Sequence, residues 1–343
     1  MLSIFLTHIF LQAYEKDIAI LPEILRDKIR DIPELLSGSR ASSTVKVYYR
    51  SFKKWSDWLK KNGLENDKVS STKPLTVSIY LASLIQEGVS VNVLTSALHG
   101  IRWAYSVIGV TSPTESELVK NVFEAGKRKL AIPRTKKEPI SAELLKKMYN
   151  KFFHCGNVYN QRSICACLIA YAGFLRSSEL LNIRCSDVTF EKSHMSIFIE
   201  KSKTDIYRDG QWVVIARTDS DVCPVKNLEL FMRWCEFSEE STDFIFCNLS
   251  KIKTGYKVRK GNKALTYSRL RELFIEVFKD FVPDISKFGL HSLRAGGATV
   301  CANSGIPDRL FKRHGRWKSE SAKDGYVKDR LESRLLVSLN LGL

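Results

Sequence analysis

Residues 291–326 read HSLRAGGATVCANSGIPDRLFKRHGRWKSESAKDGY. The pattern predicts helices over His291–Ser304 and Asp308–Lys312, and places His291 and Arg294, three apart, on one helix face. Trp317 follows Arg294 by 23 residues, and Tyr326 follows Trp317 by nine. Two earlier stretches line up with this one. Residues 170–188, AYAGFLRSSELLNIRCSDV, put Arg176 at a helix start just after an apolar run, with Glu179 three residues on. Residues 197–205, IFIEKSKTD, put Lys203 at the turn between two expected strands. Taken singly, an arginine at a helix start, an H-x-x-R or a late tyrosine is more often structural than chemical. In this order and at this spacing they form a pattern.

Outward from these stretches the second half of the chain is mixed. Helices are expected over Ser141–Phe153, Arg162–Tyr171, Ser177–Leu181 and Tyr267–Asp280, with a final amphipathic one from Leu331. Val188–Phe190, Met195–Ile199 and Trp212–Ile215 carry β-branched and aromatic runs between polar turns, which predicts a small antiparallel sheet. The first half reads as helices only. Val45, Tyr48, Phe52, Trp55 and Leu59 recur at spacings of three and four within Ser42–Asn62, before Gly63. Further helices are expected over Pro74–Glu87, Val93–Val107 and Glu115–Leu130. The expected class is mainly α, with two domains: a helical one over 38–130, and a mixed α+β one with a small antiparallel sheet over 140–343. Residues 131–139, AIPRTKKEP, carry two prolines in a charged stretch that cannot continue a helix, and read as a linker. Residues 1–37 stand outside this scheme, either as a helix docked on the body or as a product of where the chain starts.

The 343 residues carry 54 Lys+Arg against 37 Asp+Glu, a formal charge of +17, in a chain that is 44% hydrophobic. That is globular composition with a strong bias toward a polyanionic partner, nucleic acid first. Between 127 and 137 lie Lys127, Arg128, Lys129, Arg134, Lys136 and Lys137 with no acid among them. This tract is either a solvated linker or a cationic strap along phosphates. A second tract, Lys251–Lys263, holds Lys251, Lys253, Lys257, Arg259, Lys260 and Lys263 and reads as a flexible loop for the DNA backbone, or as a plain surface loop. The apolar runs Met1–Tyr14 and Ser163–Leu175 fall short of the roughly 20 residues a membrane span needs, and the first makes a poor signal peptide. The eight cysteines contain no C-x-x-C pair and read as reduced core residues. Cys165 and Cys167, which with His154 could be imagined as metal ligands, are two apart and would point to different helix faces, which argues against a metal site. There is no G-x-x-x-x-G-K-[ST], G-x-G-x-x-G or H-E-x-x-H, so no cofactor is expected.

The four-part pattern resembles the tyrosine recombinases, the phage integrase family, which carry an arginine in a G-L-R-x-x-E-L segment, a lysine in a β-turn, H-x-x-R, a His or Trp, and a tyrosine nucleophile. The resemblance covers the chain from about 140 onward and more loosely 38–130, which looks like the family's core-binding domain. It implies a two-domain clamp around double-stranded DNA, action as a tetramer joined through the segment after the tyrosine, and no membrane. Phe174 is a harmless departure, and Trp317 stands where many members have histidine. The wording of 307–327 looks most like recombinases of eukaryotic mobile elements (Crypton-like or DIRS-like), which implies a nuclear protein.

The chemistry fits those residue types. Arg176 and Arg294 can hold the non-bridging oxygens of a phosphodiester and stabilise the pentacoordinate transition state. Tyr326 among cations becomes a usable nucleophile. By analogy His291 helps move the tyrosine proton, and Lys203, with Lys201 as the alternative, protonates the departing 5′-oxygen. Trp317 supplies an indole N–H, and Glu179 orients Arg176. The competing readings are a type IB topoisomerase, which would relax supercoils at no defined site, and a recombinase-derived DNA-binding protein without catalysis.

Overall fold

The computed structural model describes residues 2–64, 72–133, 135–202 and 209–342. The chain divides into two compact units, Met1–Arg134 and Thr135–Leu343.

Among the described residues the first unit is helical, with no strand. The helix Ser42–Lys61 buries Val45, Phe52, Trp55 and Leu59, the stripe set by their spacing. The helices Pro74–Gln86, Val91–Val107 and Glu117–Lys129 pack around it. Ser90 caps the third, its hydroxyl accepting from the Val93 N–H, so this helix starts two residues earlier than its apolar pattern. The fourth is shorter than expected because Pro113–Glu115 forms a separate 3-10 turn, with Ser112 accepting from the Thr114 N–H. Residues 2–38 fold as four further helices, the first of which, Leu2–Ala13, places Leu6 and Ile9 in the same core as Trp55. Phe5 lies 5.2 Å from both Tyr49 and Phe52, ring centre to ring centre.

The second unit is built on the helix Val158–Ala172, whose residues from Gln161 to Ala170 are all buried. Ala142–Phe152, Pro224–Trp234, Tyr267–Phe278 and Leu290–Asn303 surround it. Three antiparallel strands, Val188–Phe190, His194–Ile199 and Gln211–Ala216, form a sheet in sequential order, with Ile197 opposite both Val188 and Val213. Met195, Ile197 and Ile199 turn inward in strict alternation. Cys165 and Cys167 belong to this core, and among the described residues no three His, Cys, Asp or Glu side chains gather as a metal site. No helix among the described residues is long and apolar enough to cross a membrane.

Beyond these shifts of helix ends, two larger features depart from the sequence reading. The 251–263 tract is not a loop along its whole length: Leu249–Ile252 and Gly255–Val258 pair as an antiparallel hairpin, and only 259–263 stay irregular. The cause is a period-two alternation hidden among the lysines. Tyr256 and Val258 are half-buried while Lys257 and Arg259 point out, and the Tyr256 ring centre sits 4.9 Å from that of Tyr159. The helix Pro224–Trp234 is additional to those expected; Pro224 opens it, and Val225, Leu228, Phe231 and Met232 bury at helical spacing.

Candidate active site

The site lies wholly within the second unit and is organised by one buried carboxylate. The chain leaves the Val158–Ala172 helix through Gly173 and Phe174, and Phe174 adopts a left-handed backbone with φ +47°. The helix Ser177–Leu181 then begins with Arg176 as its cap. Glu179, on its first turn, accepts from the Arg176 N–H at 2.9 Å and from Arg176 Nη1 at 2.5 Å. Arg294 comes from the helix Leu290–Asn303. Gly296 and Gly297 let that helix approach closely, since a Cβ on them would fall 2.0 Å from the Ile140 carbonyl and 2.3 Å from the Tyr171 carbonyl.

Arg294 is fully buried. It donates from Nη1 to the carbonyl of Phe174 and from Nη2 to that of Gly315 at 2.6 Å. The left-handed Phe174 thus aims its carbonyl at the arginine. The guanidinium carbon of Arg294 stands 4.7 Å from the Trp317 ring centre and 4.9 Å from that of Tyr326, both within cation–π range. The Trp317 and Tyr326 rings are 5.6 Å apart, and His291 and Tyr326 are 6.5 Å apart. Trp317 packs into a small apolar cluster with Phe174 and Phe311, while Tyr326 is half-buried against it. Trp317 Nε1 and Arg294 Nε are buried and have no hydrogen-bond partner among the described residues.

The nucleophile candidate is anchored from both sides. Thr299 Oγ1 donates to the Tyr326 carbonyl at 3.4 Å and accepts from the Lys328 N–H at 3.1 Å. Upstream, Lys323 is buried in ion pairs with Asp308 and with Glu320 at 2.7 Å, which ties the short helix Glu320–Asp324 to Asp308–Gly315.

A further arginine, missed in the sequence, belongs to the cluster. Arg316 adopts a left-handed backbone with φ +56°, and its side chain is 2% exposed. Its Nη2 donates to Glu179 Oε2 at 2.8 Å and to the Phe174 carbonyl at 3.2 Å. Its Nη1 donates to the carbonyls of His314 and Gly173 at 3.0 and 3.2 Å. Glu179 therefore contacts Arg176 and Arg316, with Arg294 Nη1 3.8 Å away.

Burial, and then the neighbouring Arg176 charge, pushes Arg294 down to about 10, so it keeps its charge at neutral pH. Burial raises Glu179, but Arg316 and the Arg176 N–H and guanidinium outweigh it and hold the carboxylate below its ordinary value. Burial and the nearby Arg316 and Arg294 lower His314, whose Nε2–H donates to the Ala172 carbonyl at 2.8 Å. Three guanidiniums face one carboxylate. A buried excess of positive charge is unfavourable by itself and suits an anion such as phosphate.

The structure brings together Arg176, Glu179, His291, Arg294, Trp317 and Tyr326. Lys203 and Arg134 lie outside the described residues; Lys201 is exposed just past the strand His194–Ile199. Lys127, Arg128 and Lys129 close the last helix of the first unit, where Lys127 pairs with Glu124 at 2.6 Å. In the second unit Lys136 donates to the Gly325 carbonyl at 3.4 Å and Lys137 to that of Ser286. Lys257, Arg259 and Lys260 are exposed on and beside the hairpin.

The model of the phage integrase family matches residues 142–332, more than half of the chain. The chain belongs to the phage integrase family, the tyrosine recombinases. The integrase/recombinase XerD homolog of Selenomonas ruminantium is 24% identical over 296 residues, covering 85% of this chain and 83% of that protein. The fold is similar to that of the XerH site-specific recombinase in a post-cleavage complex with a palindromic difH substrate. That match has TM-score 0.63 and 16% identity, over 99% of this chain and 97% of the other. It is also similar to a lambda integrase dimer bound to a COC′ core site, with TM-score 0.55 and 16% identity, over 88% and 94% of the two chains.

Proposed function

We propose that this recombinase acts at specific DNA sites, with Tyr326 as the nucleophile and a 3′-phosphotyrosyl bond as the intermediate. The observation that carries the reading is Arg294, buried and fixed by two carbonyls, with its guanidinium facing Tyr326 and Trp317. A donor held in this way needs no reorganisation when charge develops on the phosphate. Arg176, oriented by Glu179, supplies the second guanidinium.

The Tyr326 phenol oxygen bonds to phosphorus as the bond to the 5′-oxygen breaks. The phenol proton passes toward His291, and the leaving oxygen takes a proton from Lys203. Attack by a 5′-hydroxyl then reverses these steps, and the phosphotyrosyl bond retains the energy of the ester it replaced. Trp317 walls the nucleophile. Its indole N–H is buried without a partner among the described residues, and serves as a donor to the phosphate. A duplex nicked near the cleavage point should trap the chain covalently, with the link mapping to Tyr326, and excess EDTA should leave the yield unchanged. A link on another residue, or loss of trapping on chelation, would refute the reading.

The reading extends to how duplex DNA is held. The helical unit over 38–130 acts as the core-binding half of a clamp, the 140–343 unit as the catalytic half, and 131–139 as the basic connection. Lys127, Arg128, Lys129, Arg134, Lys136 and Lys137 in and before that connection, with Lys257, Arg259 and Lys260 on the hairpin, contact phosphates. Neutralising Lys257, Arg259 and Lys260 should weaken binding to all duplexes alike and make the slope of log K against log[salt] shallower by about 0.9 per lost contact. An unchanged slope would remove the hairpin from the interface.

Assembly is assigned to the final helix, Leu331–Leu339. No residue of it is buried, and Leu331, Leu335, Leu336 and Leu339 are 46–73% exposed. Covering such leucines is worth about 1.5–3 kcal/mol each at most, enough to bias assembly on DNA toward a tetramer. Deleting residues 331–343 should leave single-site binding intact and abolish paired-site complexes in a native gel; normal pairing by the truncated chain would refute the assignment. The wording of 307–327 further supports a mobile-element recombinase of the Crypton or DIRS kind working in the nucleus. Sequencing the genomic ends around the reading frame checks this, and the absence of element termini would count against it.

A further inference from the structure

We infer that Arg316 is a positioning residue: by occupying the Glu179 carboxylate it keeps that carboxylate from capturing Arg294, so Arg294 stays turned toward Tyr326 and the scissile phosphate. This rests on the Tyr326 reading above.

Arg316 has no Nη hydrogen to offer DNA, since all four are spent on Glu179 and three backbone carbonyls, whereas Arg294 spends two of its four. Nor does the backbone call for an arginine. The left-handed conformation at φ +56° is one that glycine takes at least cost. The side chain must therefore act through what it holds.

Glu179 Oε1 is taken by Arg176 Nη1, and Oε2 accepts from the Arg176 N–H and from Arg316 Nη2. Arg294 Nη1 waits 3.8 Å from that same Oε2, a full ångström beyond the 2.8 Å of Arg316. Without Arg316, Oε2 would keep only the Arg176 N–H, and an under-satisfied buried carboxylate oxygen is costly enough to draw in the next cation within reach. The next cation is Arg294. Its capture would pull the guanidinium away from the Gly315 carbonyl and from the two rings that it faces. Arg316 is bonded as well to the Phe174 carbonyl, the other anchor of Arg294, so one side chain secures both conditions.

The test is the single-turnover rate of adduct formation on a nicked duplex, with DNA affinity and thermal melting measured in parallel. Arg316→Met should slow adduct formation by about 20-fold or more with DNA affinity nearly unchanged, whereas Arg316→Lys, which keeps a charge for Glu179, should stay within about fivefold of wild type. In a Glu179→Gln background no carboxylate remains to capture Arg294, so adding Arg316→Met should cost less than about threefold. Equal rates for the Lys and Met variants would overturn the proposal, as would the same large loss in both backgrounds. If Arg316→Met does not fold, the comparison in the Gln background decides alone. If the double variant does not fold either, Arg316 holds the fold and the positioning role is overturned. No adduct from the wild-type chain would refute the Tyr326 reading and this proposal with it; an adduct with the wrong order of rates refutes this proposal only.

Discussion

Tyr326→Phe should abolish the covalent protein–DNA adduct, a loss of at least about 10³-fold that reaches the floor of a denaturing gel, while DNA binding stays at the wild-type level. The size of the effect follows from how little else the substitution removes. The ring packs half-buried beside Trp317 at 5.6 Å and faces Arg294 at 4.9 Å, and phenylalanine keeps both contacts. The segment around it is fixed through backbone atoms, by Thr299 on the Tyr326 carbonyl and the Lys328 N–H, and those bonds survive as well. Stability should therefore change by no more than about 0.5 kcal/mol. Only the hydroxyl, the proposed nucleophile, is deleted. An adduct formed by the Phe variant would show that another side chain attacks the phosphate.

Most of the catalytic unit is legible in the sequence because its signals are local. The spacing of His291 and Arg294, the apolar run ending at Arg176 and the alternation in the strand His194–Ile199 each report on a few neighbouring residues. The helix Pro224–Trp234 carries the same kind of signal in its opening proline and the 3–4 spacing of Val225, Leu228 and Phe231. The hairpin at 249–258 was obscured because lysine charge dominates the composition, although Tyr256 and Val258 keep a period of two. Arg316 differs in kind. Its partner Glu179 is 137 residues away, and the left-handed turn that carries it has no glycine at that position to announce it. Within R-H-G-R-W it reads as one more surface cation. A contact made only by the folded chain leaves no periodicity, so no window of sequence could have shown it.

Arg294→Met should lower the rate of adduct formation by about 10²–10³-fold, the cost found when a preorganised donor to a developing oxyanion is removed. Unlike the Tyr326 substitution, this one also disturbs the fold. Arg294 donates to the Phe174 and Gly315 carbonyls, and both would be left unpaired in a buried site. Breaking a buried charged network costs about 3–5 kcal/mol, which for a unit of this size lowers the melting temperature by roughly 6–20 °C. One contribution opposes that loss. Arg294, Arg176 and Arg316 crowd a single carboxylate, and burial with Arg176 already pushes Arg294 down to about 10, so deleting one positive charge relieves repulsion among the others. The fall in melting temperature should thus sit at the low end of the range. The relief should be visible as a change of slope with pH. A group whose folded pKa is depressed below its unfolded value binds its proton less tightly in the folded state. The associated penalty is fully present at neutral pH and fades as the pH rises through about 10. The wild-type chain should therefore gain stability relative to Arg294→Met between about pH 9 and 11, measured by thermal melting. If the difference between the two proteins is constant across that range, the Arg294 charge is not strained by its neighbours. The excess positive charge in the site would then be balanced within the chain rather than held in readiness for phosphate.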